Sequence, residues 1–245
     1  MELHGDDVDP RLIVHPDADQ VFVEQYRRLG AALHHAQVQD GIRGLMVASA
    51  VEGEGKTLCA TNLALSLSRS FAKRVLLVDA DLRKPSIHQL LRLDNGVGLS
   101  DCLTRPIERL PLQIVSPQLS VMTAGRHESD PVPLFVSDAL GRLLAEARER
   151  FDWVIVDTPP VMLFPDAGLL AGRLDTCVMV VAAETTKSSV ALKAVEAIGA
   201  SRIAGVALNR AELSEVAGGY DYGQYRYARG GGAGDHIAWW RQGRR

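Results

Sequence analysis

Phosphate chemistry is the first thing the residues can do. The stretch Ala48-Ser49-Ala50-Val51-Glu52-Gly53-Glu54-Gly55-Lys56-Thr57 carries Gly53 and Gly55, which let the backbone turn tightly with its N–H groups aimed inward. Lys56 supplies a cation, and Thr57 opens a helix with a hydroxyl suited to Mg²⁺. A strict search for G-x-x-x-x-G-K-[ST] fails, because Ala50 stands at the first glycine position. The alternative is a glycine-rich turn that binds nothing.

Three carboxylates point to the same place. Residues 74–78 are a cation and an apolar run that ends on Asp79 and Asp81, and residues 153–156 are an apolar run that ends on Asp157. Parallel strands buried on both faces have this composition, and open α/β sheets bind ligands at the carboxyl ends of such strands. If these strands lie parallel to the one before the glycine-rich loop, Lys56, Asp79, Asp81 and Asp157 converge on one sheet edge. A lone strand-end aspartate could instead cap the next helix. Asn209, at the end of a last strand, could meet a base edge or be a turn residue.

Tyr220, Tyr222, Tyr225 and Tyr227 are four of the 5 tyrosines, and they lie in a glycine-rich stretch without apolar periodicity. Exposed hydroxyls on a flexible tether are what a phosphoryl acceptor needs. A low-complexity tail that uses tyrosine for contacts is the competing reading.

The elements that must position these groups alternate along the chain. Apolar spacing gives a helix over 20–38, a strand at 45–49, a helix from Thr57, a strand at 75–79 and a short helix through 91. Two strands at 112–115 and 119–123, a long amphipathic helix over 131–150, and a strand at 153–157 follow. A helix at 166–172, a strand at 176–182, a helix at 188–198 and a strand at 203–208 complete the pattern. This alternation predicts an α/β fold with a doubly wound, mostly parallel sheet flanked by helices. Residues 1–19, polar and holding Pro10 and Pro16, read as a mobile or loosely docked arm. Residues 20–215 read as one domain and 216–245 as a flexible tail, whose Trp239, Trp240 and arginines could touch a membrane surface or partner.

Composition narrows the classes. A chain of 245 residues, 47% hydrophobic, can bury one substantial core. A net charge of −3 gives no field that calls for nucleic acid. Cys59, Cys102 and Cys177 are too widely spaced for a disulfide framework or a C-x-x-C site and read as a reducing cytosol, and the histidines lack ligand spacing. The longest apolar run, 177–183, is too short to span a bilayer, so any membrane anchor must come from a partner.

Residues 49–57 as Walker A, 76–83 as a second aspartate motif (Walker A′) and 154–160 as Walker B together resemble the bacterial tyrosine kinases of capsule and exopolysaccharide synthesis, which are autokinases on a deviant Walker P-loop NTPase fold. The resemblance runs from about residue 24 to residue 210, plus the tyrosine tail. It implies that Gly53, Glu54, Gly55, Lys56, Thr57 and Leu58 hold the ATP phosphates, and that Thr57, Asp79 and Asp157 hold Mg²⁺. It implies that Asp79 and Asp81 lie between metal and acceptor, with Asp79 orienting or deprotonating the tyrosine. It also implies a homo-oligomer phosphorylating tail tyrosines between subunits, a membrane polysaccharide co-polymerase as activator, a cognate tyrosine phosphatase, and a cytoplasmic place at the inner face of the membrane. Glu52 replaces a usual proline, and Gly30 follows Glu24 and Arg27 where the family's ring-assembly pattern has a second arginine. The rival resemblance is to the switch ATPases of cell division and plasmid partition, whose signature lysine position holds Val51 here. A non-catalytic ATP-binding regulator of polysaccharide export is a third reading.

Overall fold

The computed structural model describes residues 8–105, 109–211 and 237–241. Eight strands form one sheet: β1 (Gly44–Ser49), β2 (Val75–Asp79), β3 (Gln113–Ser116), β4 (Leu119–Met122), β5 (Trp153–Asp157), β6 (Thr176–Ala182), β7 (Ile203–Asn209) and β8 (Ile237–Arg241). Their order across the sheet is β3-β4-β2-β5-β1-β6-β7-β8, parallel except for β3 and β8 at the two edges. Every residue of β1, β2 and β5 is buried, as the unbroken apolar runs require. The chain leaves β1 toward β2 on one side and reaches β6 on the other, which opens a crevice at the carboxyl end of β1.

Helices cover both faces. Leu45, Val47, Val75, Leu77, Trp153 and Ile155 pack toward α1 (Gln20–Asp40) and α2 (Lys56–Ser70). The alternate residues Met46, Ala48, Leu76, Val78, Val154 and Val156 pack toward α4 (Leu99–Thr104), α5 (Val132–Val136), α6 (Asp138–Arg150), α7 (Asp166–Ala171) and α8 (Ser188–Ile198). A short helix α3 (Ile87–Leu90) follows β2. The helix expected over 131–150 is two, because Ser137 leaves helical geometry (ψ 154) and its hydroxyl donates to the Leu134 carbonyl at 2.7 Å. Asp19 caps α1, donating nothing and accepting the Val21 N–H at 2.7 Å, and Gly41 ends the helix at φ 69.

Gly30 sits where α1 crosses α2. A Cβ there would lie 2.9 Å from the Phe71 ring and 3.3 Å from the Ser66 hydroxyl, so an arginine cannot occupy this position in the same packing. Glu24 and Arg27 pair at 3.4 Å on the exposed side of the helix.

Two segments depart from expectation. The described part of the N-terminal arm is neither mobile nor loosely docked: Val8 and Leu12 are fully buried in the core. The buried Asn62 of α2 clamps it, donating from Nδ2 to the Arg11 carbonyl at 3.1 Å and accepting the Ile13 N–H at 2.9 Å. Within the stretch read as a flexible tail, Ile237–Arg241 adds an antiparallel strand to β7. The free edge of β7 offers a row of backbone donors and acceptors, and an Ile-Ala-Trp-Trp run has the β propensity to take it.

Because Leu12 belongs to the main core, Leu12→Ala is expected to cost about 2–5 kcal/mol. A urea midpoint equal to that of the unchanged protein would show that the arm lies outside the cooperative unit.

Candidate active site

The loop between β1 and α2 turns at Gly53 (φ 84) and Gly55 (φ 89), conformations that side chains with a Cβ rarely adopt. Gly55 is needed for a second reason, since a Cβ there would come within 2.2 Å of Asn209 Nδ2. Ala50, at the position where a glycine is more usual, is fully buried and accepts the Met162 N–H on its carbonyl at 3.1 Å. Val161 N–H donates to the Ser49 carbonyl at 2.9 Å. The turn after β5 therefore braces the start of the phosphate loop.

Lys56, the first residue of α2, points into a cluster of carboxylates. Its Nζ lies 2.9 Å from Asp81 and 3.8 Å from Asp157, and donates to the Thr57 hydroxyl at 3.2 Å. Burial works against the lysine's charge, but Asp157 and Asp81 outweigh it and raise its pKa. Asp79 and Asp157 face each other in register on the adjacent strands β2 and β5. Burial, and then the mutual repulsion with Asp157, pushes the Asp79 carboxyl above the ordinary carboxylate range. Burial raises Asp157 as well, against the opposing pull of Lys56.

These carboxylates are not equivalent. Asp79 is fully buried, and backbone amides occupy both its oxygens: Ser86 and Ile87 donate to one at 3.0 Å each, and Asp81 donates to the other at 3.2 Å. It folds the β2–α3 turn and does not line the cavity. Asp81 does line the cavity, beside Lys56. Asp157 lies beside Lys56; its two buried oxygens have no close hydrogen-bond partner among the described residues, although the Thr57 hydroxyl and the Thr158 N–H lie near enough to favour its charged form.

The cavity measures about 550 Å³ and is bordered by Gly53, Gly55, Lys56, Thr57, Leu58 and Asp81, with Arg11 of the arm and Phe164 at its walls. Lys84 and Glu52 pair across its mouth. Asn209 also borders it, yet its amide is engaged: Nδ2 donates to the Glu54 carbonyl at 2.9 Å, and Oδ1 accepts the Arg210 N–H at 3.0 Å. Glu54 is turned away from the cavity. Tyr220, Tyr222, Tyr225 and Tyr227 lie outside the described residues.

Spacing along the sequence missed Arg83. Its guanidinium grips the buried Asp166 at 2.7 and 3.3 Å, donates to the Ser129 carbonyl at 2.8 Å and stacks over Phe164 at 4.3 Å. The Leu-Arg-Lys-Pro run after Asp81 contained the signal, but nothing in it identifies a partner 83 residues away.

The Asp157 carboxylate, without a close hydrogen-bond partner and near the Thr57 hydroxyl, fits a magnesium ion. Such an ion keeps most of its water shell and takes one or two protein oxygens.

The family profile described as ParA, NUBPL iron-transfer P-loop NTPase, matches residues 42–209. The chain is 35% identical to tyrosine-protein kinase YwqD of Bacillus subtilis over 82% of its own length and 85% of that protein. It is also 35% identical to tyrosine-protein kinase Wzc of Salmonella typhi, over 84% of this chain but 29% of that longer protein. Among solved structures, the chimerical protein CapA2B2 superposes with a TM-score of 0.75 at 29% identity, covering 81% of this chain and 88% of that one.

Proposed function

The chain belongs to the bacterial tyrosine-protein kinases, built on the ParA-type P-loop NTPase scaffold, and from that premise we propose that it moves the γ-phosphate of ATP onto tyrosines of its own C-terminal stretch. The acceptors are Tyr220, Tyr222, Tyr225 and Tyr227, presented by a neighbouring copy of the chain in a homo-oligomer. The observation that carries this reading is the Lys56 ammonium held between Asp81 and Asp157 at the floor of a glycine-shaped anion cradle.

Each residue has a part. The loop amides from Gly53 to Leu58 and Lys56 receive the phosphates, and Lys56 exchanges its carboxylate partners for phosphate oxygens. Thr57 and Asp157 would hold magnesium, with Asp79 behind them setting the turn that carries Asp81. When bound, magnesium would supply charge neutralisation for the phosphoryl transfer. Asp81, the carboxylate that faces the cavity, orients the phenol and takes its proton as the O–P bond to tyrosine forms. The bond from phosphorus to the bridging oxygen breaks, and ADP leaves with its electron pair. Positioning and charge neutralisation suffice for such a transfer.

Each phosphate adds roughly −1.5 to −2 charge to the tail, and the resulting repulsion loosens the assembly. Through this cycle the kinase regulates capsular or exopolysaccharide production, opposed by a cognate phosphatase. No helix among the described residues is long and apolar enough to cross a membrane. A membrane co-polymerase supplies the activator and holds the chain at the inner face.

Intact-mass and peptide mass spectrometry after incubation with Mg-ATP tests the reading, alone and with a membrane fraction carrying the activator. Added phosphates on the four tail tyrosines are expected. They should vanish in Lys56→Met and in the variant with all four tyrosines changed to Phe. ADP release without phosphotyrosine, activator present, would make the chain a switch ATPase instead.

A further inference from the structure

Glu54 stands inside the phosphate loop, where a ligand-facing carboxylate would repel the anion the loop is shaped to hold. Its side chain is 2% exposed and turned to the opposite side of the loop. There Oε2 accepts the Val51 N–H at 2.7 Å, while Oε1 accepts the Ala182 N–H at 3.3 Å and the Thr186 hydroxyl. These partners come from the start of the loop, the end of β6 and the turn before α8. All of them donate, and an ionised carboxylate only accepts, so the chemistry of the pocket around Glu54 matches that group and no neutral isostere. The same stretch is held from outside as well: Asn209 Nδ2 donates to the Glu54 carbonyl, and Arg210 Nη2 donates to the Gly53 carbonyl, each at 2.9 Å.

We infer that Glu54 is a positioning residue that presets the phosphate loop before nucleotide arrives and couples it to the turn between β6 and α8. The inference rests on the loop being the nucleotide site. Preset amides do not spend binding energy on ordering the loop, so the benefit falls on nucleotide affinity. Coupling to the β6–α8 turn makes Thr186, which does not border the cavity, part of the same device.

Glu54→Gln keeps the size but gives one oxygen and one NH₂ group. Whichever way the amide sits, NH₂ meets a backbone donor, either Val51 N–H or Ala182 N–H, neither of which can turn round to accept. Thr186→Val removes one donor at constant shape, and Thr186→Ser restores the hydroxyl.

The test uses the full chain and measures Mg-ADP affinity by calorimetry, KM for ATP and kcat for tyrosine phosphorylation, and melting without nucleotide. Glu54→Gln is expected to weaken Mg-ADP about 10–100-fold and Thr186→Val about 3–10-fold, with Thr186→Ser close to the unchanged protein. The losses should appear in KM more than in kcat, and the double variant Glu54→Gln with Thr186→Val should be no worse than Glu54→Gln alone. A Glu54→Gln protein that folds and binds Mg-ADP normally overturns the inference, as do single effects that multiply in the double variant. If Glu54→Gln does not fold, Thr186→Val decides, and equality with Thr186→Ser overturns the inference. Normal Mg-ADP binding without tyrosine phosphorylation in the unchanged chain sinks the kinase reading while the affinity losses still uphold the role of Glu54. A chain that binds no nucleotide sinks both.

Discussion

Asp157→Asn is expected to lower tyrosine phosphorylation about 10²–10³-fold while leaving the unliganded protein at least as stable. On the proposed reading activity falls because the change removes the charged oxygens that would hold magnesium. Stability does not fall, because the folded chain derives little from that carboxylate: it is fully buried, it shares one lysine with Asp79 and Asp81, and the nearby Thr57 hydroxyl and Thr158 N–H do not offset its burial. Lys56 retains Asp81 at 2.9 Å after the change.

The pH dependence gives the sign. Burial raises Asp157 and Asp79 above the ordinary carboxylate value of about 4. Between that value and their folded values, the folded chain binds protons that the unfolded chain does not. Stability therefore falls as pH rises through this window and returns on acidification. Asp157→Asn removes one such group, so its urea midpoint should exceed that of the unchanged protein near pH 8 and approach it near pH 5. His88, whose partly buried ring has a lowered pKa, pushes the other way but cancels in the difference between the two proteins. A variant less stable at both pH values would make Asp157 a structural residue.

Patterns within a few residues of one another were legible. The apolar run, the paired glycines and Lys56-Thr57 fixed β1, the loop and α2, because strand, turn and helix signals are local. Asp79 and Asp157 were legible as strand ends, and their convergence followed from parallel strands alone. That β5 inserts between β1 and β2, placing the two aspartates side by side, comes from long-range pairing that no window of sequence displays. The docked arm was hidden by its composition: Leu12-Ile13-Val14 is a compact apolar signal, but aspartates and prolines around it spoil any periodicity. Side-chain direction was the least legible. Glu54 and Asp79 read toward the ligand, and Asn209 reads equally as a base contact or a turn residue; in the structure their polar atoms go to groups of the surrounding turns, mostly backbone.

Arg83→Met is expected to cost about 3–5 kcal/mol, because it leaves Asp166 buried without its charge partner. Asp166 is fully buried at the first turn of α7, while Arg83 follows Asp81 in the turn after β2. The pair thus joins the turn that carries Asp81 to the start of α7, with Ser129 and Phe164 engaged by the same guanidinium. The cost should be mostly that of the stranded carboxylate, so Arg83→Met combined with Asp166→Leu should recover most of the stability. Activity should not return with it, since two apolar side chains no longer fix the turn that aims Asp81. Urea midpoints and phosphorylation rates for the two single variants and the double separate these effects. Stability and rate recovering together would reduce Arg83 to a structural clamp; stability recovering alone makes it a residue that positions Asp81 for proton transfer.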